Sequence, residues 1–124
     1  MPSIVDIQAS NWDSEVVPEK RPVVVEYWHQ KCVVCMEMKP IYEAQPDKLG
    51  DKVKFTRMNL LENKENRIFA IRNGVRSTPT FVLYCEGRPI GQIIGQRKPE
   101  EFSDELKMII ENADKCLTST PLEE

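Results

Sequence analysis

The feature that most constrains this chain is a junction between an apolar strand and a pair of cysteines. Val23-Val24-Val25-Glu26-Tyr27-Trp28 is a run of β-branched and aromatic residues interrupted by one acid, and Cys32 and Cys35 follow it almost at once. A run of that kind reads as a strand buried on both faces, the situation of a central strand in a sheet covered by helices. The strand ends before His29-Gln30-Lys31, and a helix is expected from the cysteines through Met36, Met38, Ile41 and Tyr42. Pro40 inside it predicts a kink, and Pro46 its end or a second kink.

The rest of the chain supplies partners for that strand. Ile4-Val5-Asp6-Ile7 reads as a short strand, and Ser10 or Asn11 as the cap of a short helix over 11–16. Pro18 and Pro22 bracket a charged loop. Residues 53–60 alternate as a second long strand, and 62–72 read as a helix carrying Ile68, Phe69 and Ile71, closed by Asn73-Gly74. This β-α-β-α order implies a parallel pair with a crossover connection. Thr78-Pro79 precedes a strand at Thr80–Cys85, Glu86-Gly87-Arg88 turns the chain, and Ile90 to Gly95 returns as a hairpin partner. Pro99 opens a last helix with Glu100 and Glu101 in its first turn. Phe102, Leu106, Ile109 and Ile110 form its buried stripe. The pattern stops at Ala113, so one domain over 1–112 and a flexible tail over 113–124 are expected.

Composition narrows the function classes. The chain has 124 residues, 40% hydrophobic and 30% charged, an ordinary globular balance with enough length to bury a core unaided. No apolar run approaches the ~20 residues of a bilayer span. The net charge is −3 with no dense Lys/Arg block, which argues against nucleic acid as a partner. The opening Met-Pro-Ser-Ile-Val-Asp has no basic start and no long apolar stretch, so the expected location is the cytoplasm.

Four cysteines are present, at positions 32, 35, 85 and 116. In a reducing compartment most would remain thiols. The Cys32-Val33-Val34-Cys35 spacing reads as a redox dithiol. On the first turn of a helix, residues three apart share a face with Cβ atoms ~5–6 Å apart, and small adjustments reach disulfide geometry. The unpaired amides of the helix start favour a thiolate on the first cysteine. A zinc knuckle is the competing reading. It lacks its other ligands, since there is no second Cys-x-x-Cys and His29 is the only histidine. Cys85 reads as a buried free thiol acting as a small hydrophobe, and Cys116 as an exposed, adventitious one.

Taken together, these residues resemble the thioredoxin family. The resemblance rests on Glu26, Tyr27 and Trp28 on the central strand, Cys32 and Cys35 opening a helix that contains Pro40, Thr78-Pro79-Thr80 before a strand, and the closing hairpin with Gly87 and Gly95. It covers residues 3–112 and implies a thioredoxin-like three-layer α/β/α sandwich, with a central mixed sheet of four to five strands flanked by helices. Three departures mark an atypical member. Lys31 stands where the family has tryptophan, Val33-Val34 where it has Gly-Pro, and Glu26 where it has aspartate.

The resemblance implies a protein-disulfide oxidoreductase. Cys32 would be the attacking thiolate and Cys35 the resolving thiol. Glu26 would accept or relay the proton of Cys35, the alternatives being a surface acid or a salt bridge with Arg57. Pro79, in cis, would pack against the disulfide, the Thr78 backbone would pair with a bound substrate strand, and Trp28 would brace the active-site loop. Lys31, Val33 and Val34 would shape substrate choice, and His29 would tune the thiolate or simply be solvated. Expected partners are oxidised protein substrates and an external reductase, acting on a monomer with no membrane and no cofactor beyond the dithiol. The alternatives are a redox-dependent interaction module with little turnover and a metal carrier using the dithiol.

Overall fold

Five strands form one sheet in the order β1-β3-β2-β4-β5. They are β1 (Val5–Asp6), β2 (Val23–Trp28), β3 (Lys54–Asn59), β4 (Thr80–Cys85) and β5 (Arg88–Ile94). The computed structural model describes residues 4–112. β3 runs parallel to both β1 and β2, while β4 is antiparallel to β2 and to β5. β2 therefore lies at the centre, which is why its sequence is apolar on consecutive positions and not only on alternate ones.

Side chains alternate across that strand, and the two faces have separate cores. Val23, Val25 and Tyr27 face a cluster with Trp12, Val16, Met58, Ala70 and Tyr84. It is covered by α1 (Trp12–Glu15) and α4 (Lys64–Arg72). Val24 faces the opposite cluster of Met38, Tyr42, Phe55, Phe81, Leu83, Phe102 and Leu106. That face is covered by α2 (Val33–Glu43), α3 (Gln45–Leu49) and α5 (Pro99–Glu111). The result is the expected α/β/α sandwich on a mixed sheet. Its joint on the second face is Tyr42, whose ring meets Phe55, Phe81 and Phe102. The Tyr42 hydroxyl donates to the Thr56 carbonyl at 2.6 Å, which satisfies it within the core.

Element ends moved for local reasons. The helix expected from residue 62 starts at Lys64 because Asn63 Oδ1 accepts from the Asn66 amide at 2.8 Å, an N-cap. α2 runs through Pro40 and ends at Glu43, and Pro46 lies in the first turn of α3, where its missing N–H costs nothing. On α5, Phe102 and Leu106 are buried, and Ile109 and Ile110 are half-buried against the same core. The expected tail over 113–124 lies outside the described residues.

Candidate active site

β2 delivers the chain to the edge of the sandwich, and α2 starts there. Cys32 is the N-cap of α2 and Cys35 lies in its first turn, with Cα atoms 5.2 Å apart and the two sulfurs joined as a disulfide. The Cys35 amide points at Cys32 Sγ from 3.1 Å, so one of the free amides of the helix start serves the first sulfur directly. The two sulfurs differ in access, since Cys32 is half-buried whereas Cys35 is 1% exposed. Thr78 approaches from the loop before β4, its carbonyl oxygen 3.4 Å from Cys32 Sγ, and the Thr78–Pro79 peptide is cis.

Glu26 is 3% exposed. Burial pushes its carboxyl up from 4.5 to about 7, against the pull of Arg57 and with some help from Glu43. It is thus no surface acid. Nor does it form the salt bridge with Arg57 that stood as an alternative, although the two face each other in register across β2 and β3. The guanidinium bonds Asp6 and Glu43 instead, each at 3.2 Å. It also lies over the Trp28 ring at 5.7 Å, a cation–π contact. Trp28 is half-buried, and its indole N–H has no hydrogen-bond partner among the described residues.

The remaining candidates surround the disulfide. Lys31 is exposed and Val33 is 72% exposed, while Val34 is half-buried against the core under α2. His29 accepts from the Lys31 amide through Nδ1 at 3.2 Å. Among the described residues no cluster of three or more His, Cys, Asp or Glu stands ready to hold a metal. Cys85 is fully buried at the end of β4. It is not the free thiol expected, for it is disulfide-bonded and no described cysteine is free. Strand periodicity reports that a cysteine is buried, not whether it is bonded. Cys116 lies outside the described residues.

Two neighbours of the buried acid escaped the sequence reading. Lys39 and Glu43 both act on the Glu26 charge. They fall four and eight residues after Cys35, on the same side of α2, and that spacing is the signal that would have found them.

A cysteine pair opening a helix, one sulfur accessible and its neighbour sheltered, is equipped for thiol–disulfide exchange. The comparisons with known proteins agree. The family profile described as Thioredoxin matches residues 3–108. Thioredoxin of Alicyclobacillus acidocaldarius subsp. acidocaldarius is 30% identical over 97 residues, covering 78% of this chain and 90% of that protein. Thioredoxin of Rickettsia typhi is 32% identical over 102 residues, covering 82% and 91%. Chloroplastic thioredoxin M4 of Arabidopsis thaliana is 30% identical over 92 residues, covering 74% of this chain and 46% of its own length. On the match to nearly the whole folded unit and on the site it contains, the chain belongs to the thioredoxin family.

Proposed function

We propose that this protein is a protein-disulfide reductase of the cytoplasm, working as a monomer and recharged by an external reductase. The Cys32 thiolate attacks one sulfur of a substrate disulfide, forming a mixed disulfide and expelling the other substrate sulfur as a thiolate, which takes up a proton. The Cys35 thiol gives up its proton, attacks Cys32 Sγ and releases the second substrate sulfur. Two electrons pass to the substrate and the dithiol becomes the Cys32–Cys35 disulfide, with no further cofactor. The observation that carries this reading is the amide of Cys35 aimed at Cys32 Sγ beside a sheltered partner sulfur, an arrangement that stabilises one thiolate and holds the other thiol in reserve.

Glu26 takes the proton that Cys35 releases. Its carboxyl, raised to about 7, is close to half-ionised at neutral pH and can both accept and return a proton. Thr78 offers its backbone to an extended substrate segment beside Pro79, and Trp28 braces the loop below. Lys31, Val33 and Val34 form the surface that a substrate meets around Cys32.

Insulin disulfide reduction with dithiothreitol as electron source tests the reading. Turnover is expected for the full chain, with its loss in Cys32→Ser and, when reduced Cys35→Ser is mixed with insulin after dithiothreitol is removed, a persistent mixed disulfide. Turnover that survives Cys32→Ser would overturn the assignment. Binding of oxidised proteins without turnover would establish an interaction module instead.

A further inference from the structure

A groove of about 280 Å³ opens beside the disulfide, with His29, Leu61, Arg67, Ile71, Arg76 and Thr78 among its lining residues. Thr78 connects it to the reaction centre, since this residue belongs to its wall and also places its carbonyl 3.4 Å from Cys32 Sγ. Leu61 and Ile71 are 40% and 63% exposed, so their apolar surface faces solvent. Arg67 and Arg76 are also exposed, and neither makes an ion pair with any described residue. Arg21, Arg57 and Arg97, by contrast, are each held by a carboxylate of the chain itself. Among the described residues no carboxylate lines the groove. Glu62 and Glu65, exposed nearby in sequence, stay outside its lining. Lys31, next to Cys32, adds another exposed positive charge. In a chain of net charge −3 this edge runs against the overall sign. It pairs guanidinium groups that no described carboxylate neutralises with exposed apolar side chains, in a groove whose wall reaches the Cys32 sulfur through Thr78.

We infer that this groove selects its protein substrates by charge, taking an extended segment in which the disulfide is flanked by an apolar residue and by Asp or Glu. Leu61 and Ile71 contact the apolar side chain, and Arg67 and Arg76 pair with the carboxylate. The inference rests on the proposed reductase activity and names the substrate class for it. Rim ion pairs of this kind are individually modest and screened by salt, so they bias choice among substrates without governing the chemistry. The bias belongs in KM, since the charges meet the flank of the substrate and not the exchanging sulfurs.

Three peptides test it, each with one intramolecular disulfide and the same apolar neighbour, flanked by Glu, Gln or Lys. Their reduction is followed with the full chain and dithiothreitol. The expected result is a ~3–10-fold higher kcat/KM for the Glu peptide over the Lys peptide, expressed in KM. It should fade in about 1 M salt, where the Debye length is ~3 Å. Arg67→Glu with Arg76→Glu should invert the order, while Arg67→Lys with Arg76→Lys should keep it. Equal rates for the three peptides would overturn the inference and leave the reductase reading standing. A Glu preference that survives the double charge reversal would remove it from this groove. Failure to reduce any of the peptides would overturn the reductase reading and the inference with it.

Discussion

The most consequential residue is Glu26, because its environment couples stability to pH. A carboxyl whose folded pKa is raised to about 7 from 4.5 binds its proton more tightly in the folded chain than in the unfolded one. Below 4.5 both states hold the proton and the burial of Glu26 is tolerated. Between 4.5 and about 7 the unfolded chain ionises first, so stability falls as pH rises, and above about 7 the full penalty applies. Glu26→Gln should therefore abolish this slope. The variant should gain of order 2–3 kcal/mol over the native chain above about pH 8 and little at about pH 4, read from urea midpoints across the range. On the proposed role of Glu26 as proton acceptor for Cys35, it should also slow release of the mixed disulfide. This would be measured as a lower single-turnover rate with insulin at neutral pH.

Elements in this fold are held at their ends as much as along their faces. Asn63 caps α4 through Asn66, and its amide nitrogen also donates to Gln8 Oε1 at 3.1 Å. Gln8 Oε1 in turn accepts from Asn66 Nδ2 at 2.7 Å, and Asn66 is fully buried. One asparagine thus ties a helix start to the segment after β1. Asn63→Ala should cost ~1–2 kcal/mol, seen as a lower denaturation midpoint with an unchanged slope. Asn63→Asp keeps the cap but loses the amide donor, and should recover most of that loss. α5 is held differently, by Phe102 and Leu106 and by the close approach of Ile109 to Gly91, where an added Cβ would meet Ile109 Cγ2 at 2.8 Å. Gly91→Ala should destabilise by ~1–3 kcal/mol unless Ile109 changes rotamer, and a paired Ile109→Ala, which removes all three contacting carbons, should relieve the clash.

The whole molecule is two cores sharing one sheet. β2 contributes Val24 to one core and Val23, Val25 and Tyr27 to the other, so neither core can come apart without disturbing the strand that leads to the dithiol. Leu106→Ala, in the core under α5, should cost ~2–5 kcal/mol. Trp12 lies in the opposite core, against Phe69 and Tyr84. Its near-ultraviolet signal should nonetheless melt in the same transition as the far-ultraviolet signal, as a cooperative single domain requires. Separate transitions would show that the two cores unfold independently.

Much of this was legible along the chain because its causes are local. Periodicity placed the strands, prolines and glycines placed the breaks, and two cysteines three residues apart after a buried strand marked the chemistry. The helix cap at Asn63 was missed by two residues because a cap depends on the side chain's aim, which apolar spacing does not record. What only the tertiary structure decided acts through space. Arg57 faces Glu26 in register yet bonds Asp6 and Glu43, from a different strand and from α2. The groove brings His29, from the end of β2, against Leu61, Ile71 and Arg76 from the stretch around α4. Hydrophobic patterning is written between near neighbours in sequence, whereas a buried charge answers to whatever the fold brings within a few ångströms. The dithiol was therefore readable from the chain alone, and the protonation of its acid and the charge of its groove were not.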